Sequence, residues 1–419
     1  MRAVSFDVSL AGFALARTLG RVWDGACFGT ISGVRLRETS LPPLPAEGWA
    51  RLRVLKAGIC GTDIGNLTFA ASPAMEPFGS FPAVLGHEIL AEVVEVAPGV
   101  GGIEIGQRVA VDPLLSCSVR GWGRDQECSS CRAGRHSTCE MAGEEGRLEL
   151  GGEPLARGLT LGYHRSLPGG WGEQMLAHRS QLFPVDDTLE DHAAVLIEPL
   201  SVGMHAVLNA PPVHSSEPVL VVGSGPIALA TVWALRATGF KGELFAQTKR
   251  SHEARLARLL GASHVVSPGD EAREALVGTG SQAYMPLVGE EVYSGGGFPL
   301  IYDCVGSGRS LTQSLRYASP RGRIVLLGCA ARIPRLDLTF LWARELAVRG
   351  FVGYGLERFR GATAHTFAIT HQLLLETGSP VQELVTHVYP LRHYRDALRA
   401  TANRRRFKSV KVLLDPTTG

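Results

Sequence analysis

The run Val219-Leu220-Val221-Val222 leads directly into Gly223-Ser224-Gly225-Pro226-Ile227-Ala228, and no other junction restricts the fold as strongly. A short apolar run bounded by a turn signal reads as a strand buried on both faces. A helix is predicted next, from Ala228 to about Arg236. Gly223 permits a tight turn, Gly225 lets the backbone approach a pyrophosphate, and small Ala228 allows close helix–strand packing. The helix start adds free N–H groups and partial positive charge. Glycines alone are a weak signal, and Ala stands where a third Gly is usual. The strand before and the helix after make the stretch a dinucleotide-binding turn. This predicts an α/β fold with a doubly wound parallel sheet, and Gly223, Ser224, Gly225, Pro226 and Ile227 at the phosphates.

The next strand, Gly242 to Gln247, bears on which dinucleotide is bound. An acidic residue for the adenosine ribose is expected at its end. The chain instead reads Gln247-Thr248-Lys249-Arg250-Ser251. With no carboxylate and two cations, Thr248, Lys249 and Arg250 favour a 2′-phosphate, hence NADP(H). The competing reading makes Lys249 and Arg250 solvated loop charges. Glu253 lies too far into the following helix to replace the missing carboxylate.

A second constellation lies upstream, in Gly58-Ile59-Cys60-Gly61-Thr62-Asp63 and Gly86-His87-Glu88. Thiolate, imidazole and carboxylate are the ligand types that hold Zn²⁺ with one position open. Thr62 stands two residues from the thiolate, so its hydroxyl can face an oxygen on the metal. Such a set can take a proton from an alcohol while a hydride leaves its carbon. A lone Cys60 would read as a small buried hydrophobe and a lone His87 as a core histidine. Their joint pattern argues against both.

Together these motifs resemble the zinc-dependent branch of the medium-chain dehydrogenase/reductase superfamily, the alcohol, polyol and threonine dehydrogenases. The resemblance runs from Met1-Arg2-Ala3-Val4 through Glu198-Pro199-Leu200, Asp303-Cys304-Val305-Gly306 and Gly322 to Gly328. It continues through Arg344-Glu345-Leu346 to Thr386-His387. It implies a GroES-like β-rich catalytic domain over residues 1–198 and 353–419, and a Rossmann nucleotide domain over 199–352. It also implies Cys60 and His87 as catalytic zinc ligands, with Glu88 or Glu198 as the third. Asp63 resembles a residue that fixes the tautomer of a ligating His. Thr62 resembles the hydroxyl that passes on the alcohol proton. Family members often carry the relay to a His shortly after, whereas this chain has Ile64, Gly65 and Asn66. The ribose hydroxyl or a chain of waters is then left to serve. Family members are usually dimers or tetramers, so a homodimer or homotetramer is expected.

Cys117, Cys128, Cys131 and Cys139 form another group. Relatives carry a lobe with four closely spaced cysteines around a structural zinc, and the last three match in register. The first ligand is then Cys117, displaced by an insertion from Ser118 to about Glu127, or else Asp125. The competing reading is a degenerate lobe without metal. Four thiolates make a closed site that stabilises a loop with no core of its own.

The remaining cysteines, Cys27, Cys304 and Cys329, are unspaced, so a reducing cytoplasmic setting fits better than a disulfide framework. Val8 to Ala16 ends like a signal cleavage site, but Asp7 interrupts the run and Arg2 is the only early cation. Its retention is expected, since Met1 to Asp7 matches the family's first strand. No apolar run is long enough to span a membrane. The 419 residues are 45% hydrophobic, enough for two cores. A formal net charge of +2 suggests no nucleic-acid partner.

Beyond the family's minimum the chain has extra material at Val8 to about Gly33, in the cysteine lobe, at Glu140 to about Leu161, and at Val277 to about Gly297. In the first, Leu10, Phe13, Ala14, Ala16 and Leu19 are predicted to form one helix face, packed on the domain, on a subunit partner, or over the substrate cleft. Phe69, Pro77, Phe78 and Phe81 lie where relatives build part of the substrate pocket, and hint at a substrate less polar than a simple sugar. The expected reaction is reversible oxidation of a secondary alcohol to a ketone, with hydride passing to NADP⁺. Primary alcohol/aldehyde chemistry is the nearest alternative, and a non-catalytic nucleotide-binding or structural protein is the alternative of another class.

Overall fold

The structure, a computed structural model, describes residues 1–20, 24–45, 47–329 and 331–418. Its central layer in the second half is a six-stranded sheet, ordered His264–Val266, Leu244–Gln247, Val219–Val222, Phe298–Asp303, Ala318–Leu326 and Ala347–Gly350. Every neighbouring pair in it is parallel. The order reverses beside Val219–Val222, which is where an open α/β sheet leaves a crevice for ligands. All four residues of that strand are buried. Helix Pro226–Ala237 follows, with Pro at its start, where the missing N–H costs nothing.

The β-rich half is built on a sheet ordered Leu182–Pro184, Arg108–Val111, Glu88–Val96, Trp49–Gly58, Lys411–Asp415 and Val385–Pro390, with Gln174–His178 also paired to Trp49–Gly58. A three-stranded sheet of Val34–Glu38, Arg2–Phe6 and Ala83–Val84 lies beside it. Strand Lys411–Asp415 comes from the end of the chain and pairs with Trp49–Gly58, so both termini build this half. Helix Ile197–Asn209 packs on helix Pro226–Ala237, and Gly203 makes the approach possible. A Cβ there would meet the Ala230 carbonyl carbon at 2.8 Å. Among the described residues no helix is long and apolar enough to cross a membrane.

Helix Leu10–Leu19 forms within the first insertion, between two strands that pair as a hairpin. Its apolar residues are largely exposed, although Phe13 packs edge-on against Phe69 with ring centroids 5.1 Å apart. Gly12 and Ala16 are the buried positions, while Leu10, Phe13 and Leu19 are 90%, 42% and 40% exposed. A Cβ on Gly12 would lie 2.8 Å from the Ile31 carbonyl oxygen, so a larger residue at that position is excluded. The four aromatic-region residues named in the sequence divide between two settings. Phe69 and Phe81 are half-buried and pack against Phe6 with ring centroids 6.1 and 5.4 Å apart. Pro77 and Phe78 are exposed.

Candidate active site and metal centres

Strand register brings the catalytic candidates together. Gly58 pairs with Glu88, so Cys60, just past one strand, lies beside His87, just before the other. Leu413 also pairs with Gly58, which carries Lys411 to the same end of the sheet. Ligand atoms of Cys60, His87 and Glu88 all lie within 4.8 Å of one another. Gly58 has to be glycine for this arrangement, because a Cβ there would fall 1.8 Å from Glu88 Oε2.

The two carboxylates differ in what they can do. Both oxygens of Glu88 accept from Lys411 Nζ at 2.6 Å, and each side chain is only 2% exposed. Glu88 is thereby held in a buried ion pair. Glu198, the second residue of helix Ile197–Asn209, is outside the 4.8 Å group. Its Oε1 accepts from the Tyr354 hydroxyl at 3.0 Å, which leaves Oε2 for another partner. Burial, and next the charge of Glu88, push its carboxyl up to about 7, against the lowering influence of His87.

That elevation carries a stability prediction. Between the ordinary carboxyl value of 4.5 and about 7, the folded metal-free chain keeps a proton that the unfolded chain has lost. The contribution is complete below the unfolded value and disappears as pH rises through the folded one. A ligating carboxylate must be ionised, so metal binding opposes this loss. Melting of the chelated protein should therefore shift downward between pH 5 and 7.5, and the shift produced by added zinc should grow over the same interval. Constant zinc stabilisation across that interval would contradict the assignment of Glu198.

Asp63 is fully buried, and burial raises its carboxyl despite the opposing influence of His87, Tyr163 and the Cys60 N–H. Its Oδ2 accepts from the Cys60 backbone at 2.8 Å, and Oδ1 lies 3.6 Å from His87 Nδ1. His87 Nδ1 itself is buried without a hydrogen bond. Thr62 Oγ1 stands 3.2 Å from the Tyr163 hydroxyl. Sequence reasoning missed Tyr163, Tyr354 and Lys411, since nothing near them in the chain marks them.

In the second group, the sulfurs of Cys117, Cys128, Cys131 and Cys139 lie within 4.8 Å of one another. Cys117 Sγ and Cys139 Sγ are 3.7 Å apart, close to the roughly 3.8 Å edge of a tetrahedron with Zn–S near 2.3 Å. Backbone N–H groups of Cys128, Cys131 and Cys117 point at sulfurs of Cys117, Cys128 and Cys131, which suits thiolates. Cys117, rather than Asp125, completes the four; Asp125 is an exposed residue of the turn Arg124–Gln126.

Asp112, His136 and His365 form a third group within 4.8 Å that the sequence did not reveal. His365 Nδ1 accepts from Phe367 N at 3.2 Å, which places the proton of the neutral ring on Nε2, 3.3 Å from Asp112 Oδ2. A nitrogen that carries a proton cannot ligate, so this group reads as a buried polar contact between the cysteine lobe and the helix beginning at Thr366. Of the other histidines, His205 bonds Glu357, and His164 Nε2 bonds the Ala156 carbonyl at 2.8 Å. His178 Nδ1 lies 2.8 Å from Ser180 Oγ. These are structural contacts.

At the nucleotide crevice Gly223 has φ +124°, a conformation that favours glycine. Gly225 begins the helix in extended conformation, so its smallness serves approach rather than turning. The nearest atom to a Cβ there is Arg404 Nη1, at 3.5 Å. Beyond the adjacent strand, Gln247 bonds Gln313, Thr248 is buried and Lys249 is exposed. Arg250 Nη1 and Arg404 Nη2 both donate to Glu253 Oε1, at 2.6 and 2.9 Å. Glu253 is completely buried, so its carboxylate serves the two arginines and is not presented to the crevice.

A β-rich domain carrying a Cys/His/Glu cluster and a four-cysteine lobe, joined to a parallel nucleotide-type sheet, is a combination that known proteins share. Residues 46–187 match the alcohol dehydrogenase GroES-like domain family and residues 226–368 the zinc-binding dehydrogenase family. The chain belongs to the zinc-dependent medium-chain dehydrogenase/reductase superfamily. It is 26% identical to L-galactonate-5-dehydrogenase of Escherichia coli over 358 residues, covering 83% of this chain and 86% of that one. It is 25% identical to L-threonine 3-dehydrogenase of Pyrococcus horikoshii, covering 85% and 88%. The crystal structure of galactitol-1-phosphate dehydrogenase from Escherichia coli superimposes with a TM-score of 0.72 at 21% identity, covering 99% of this chain and 100% of that chain. Membership makes this chain a zinc-binding oxidoreductase with the machinery typical of alcohol dehydrogenases.

Proposed function

We propose that the protein interconverts a secondary alcohol and a ketone by hydride transfer to or from NADP(H), in a site held by Cys60, His87 and Glu198. The observation that carries this is the convergence of Cys60 and His87 beside Thr62, with Glu88 neutralised by Lys411. Because Glu88 already holds an ammonium, Glu198 is the carboxylate left to complete the ligand set. Zinc, when bound, supplies a Lewis acid at the reacting oxygen, and the nucleotide supplies the hydride partner. Asp63, 3.6 Å from His87 Nδ1, biases the ring electrostatically toward carrying its proton on that side. Thr62 Oγ1 receives the substrate hydroxyl. Cys117, Cys128, Cys131 and Cys139 hold a second, closed zinc whose role is to stabilise the lobe.

Residues 1–198 and 353–419 are read as the catalytic domain and 199–352 as the nucleotide domain. Gly223, Ser224, Gly225, Pro226 and Ile227 meet the phosphates at the start of helix Pro226–Ala237. The preference for NADP(H) is supported by the absence of an acidic residue directly after Gln247 and by Thr248, exposed Lys249 and Arg250 in its place, Arg250 being paired with Glu253. A homodimer or homotetramer belongs to the same reading, since the edge strand Ala347–Gly350 is exposed throughout. Cys60, Cys117, Cys128, Cys131, Cys139, Cys304 and Cys329 form no disulfide, which suits a cytoplasmic setting.

The test is a screen of secondary alcohols with both nucleotides, followed by the double variant Lys249→Ala/Arg250→Ala. The expected outcome is zinc-dependent turnover with NADP⁺, and a loss of NADP⁺ affinity on the order of 10- to 100-fold with little change for NAD⁺. Equal losses for the two nucleotides would show that these cations do not read a 2′-phosphate.

A further inference from the structure

Arg120 is the third residue of the insertion that separates Cys117 from Cys128, and its side chain is completely buried. The lobe fixes its backbone on both sides. Its N–H donates to the Ser116 and Cys117 carbonyls at 3.1 Å, and its own carbonyl accepts from Arg147 N and Leu148 N at 2.8 and 3.1 Å. The guanidinium donates from Nη1 to the Gly158 carbonyl at 2.9 Å. Among the described residues Nε and Nη2 have no partner, and no carboxylate forms an ion pair with the group. A cation taken out of water without a counter-charge is strongly unfavourable. Burial opposes the charge of Arg120, and Cys139 and Cys117 support it, ahead of the exposed Glu144. The lobe's other arginines, Arg124, Arg132, Arg135 and Arg147, are exposed.

We propose that Arg120 is the counter-cation of the closed metal centre, balancing the charge of four thiolates around Zn²⁺ so that metal and guanidinium stabilise one another. This rests on the reading that Cys117, Cys128, Cys131 and Cys139 hold zinc. Four thiolates and one divalent ion leave a net charge of about −2, and Cys117, Cys131 and Cys139 are buried. The backbone N–H groups at the sulfurs supply dipoles but no charge. A guanidinium kept out of water beside the centre supplies a whole positive charge, with less screening than a surface arginine would have. The insertion between the first two ligands thus carries the cation that the ligand set lacks. Without metal, thiols near neutrality are protonated and uncharged, and Arg120 is left unpaired.

Zinc affinity of the lobe is measured by competition with a chromophoric chelator in the Cys60→Ser protein, where the lobe is the remaining zinc site. Arg120→Met removes the charge and keeps much of the side-chain length, whereas Arg120→Lys keeps the charge. Affinity should fall by about 10- to 100-fold in Arg120→Met and stay within about 3-fold of the parent in Arg120→Lys. Thermal unfolding gives a second readout. Arg120→Met should lower the melting temperature of the zinc-loaded protein. It should leave that of the chelated protein unchanged or higher, because the chelated parent carries an unpaired buried cation. Arg120→Gln, neutral but with a donor for Gly158, should match Arg120→Met and carries the test if that variant does not fold. Unchanged zinc affinity in the neutral variants, equal losses in Arg120→Lys and Arg120→Met, or equal destabilisation with and without zinc would each overturn the role of Arg120 and leave the closed zinc site standing. A parent protein that binds no zinc would remove the closed-site reading, and the proposal with it.

Discussion

Cys60→Ser lowers alcohol turnover by on the order of 10³-fold or more, with nucleotide affinity unchanged and one zinc lost per chain. The thiol sits at the end of strand Trp49–Gly58 and begins helix Gly61–Leu67, positions that the serine can occupy without disturbing the backbone. What changes is the donor. A soft thiolate becomes a hydroxyl that does not ionise near neutrality, and His87 with Glu198 form too small a set to retain the metal. The nucleotide crevice is built from Gly223 to Ile227 on a different sheet, so its affinity is unaffected. Retention of both turnover and metal in this variant would remove the thiolate from the mechanism.

Lys411→Met strongly destabilises the fold. Burial works against the ammonium, yet Glu88 and Cys60 hold it above its ordinary value. Removing it leaves the Glu88 carboxylate buried with no cation, at a cost of about 3–5 kcal/mol. Replacing both partners, Lys411→Met with Glu88→Gln, should restore most of that loss, because the penalty lies in the unpaired charge. Denaturant unfolding of the two variants measures the difference. Equal destabilisation in both would show that the pair is held by packing alone.

How much of this could be read from the chain depended on distance along it. The dinucleotide turn was legible because Val219 to Ala228 encode strand, turn and helix within ten residues. Cys60, Thr62, Asp63 and His87 were legible through their chemistry. Lys411 was not, since its partner Glu88 is 323 positions away and only strand register aligns them. Tyr163 and Tyr354 were hidden for the same reason. Periodicity gave a helix at Leu10–Leu19 but not the face it buries, because the deciding contact is Gly12 against the backbone of Ile31. Phe69 and Phe81 were ambiguous by composition alone, and the structure leaves them half-buried against Phe6 at the margin of the core. Glu253 lies inside its helix as expected, but its burial between Arg250 and Arg404 depends on a residue 151 positions on.

The central claim is that two zinc ions of different kind organise this chain, an open one at Cys60 and a closed one in the cysteine lobe. Zinc content of the purified wild-type protein, measured beside Cys60→Ser and Cys128→Ser, tests it most directly. The account predicts about two zinc ions per chain in the wild type and about one in each variant. Activity should survive in proportion to folded protein in Cys128→Ser and vanish in Cys60→Ser. A folded wild-type protein never exposed to chelator that carries no zinc would contradict the account, leaving only a nucleotide-binding fold.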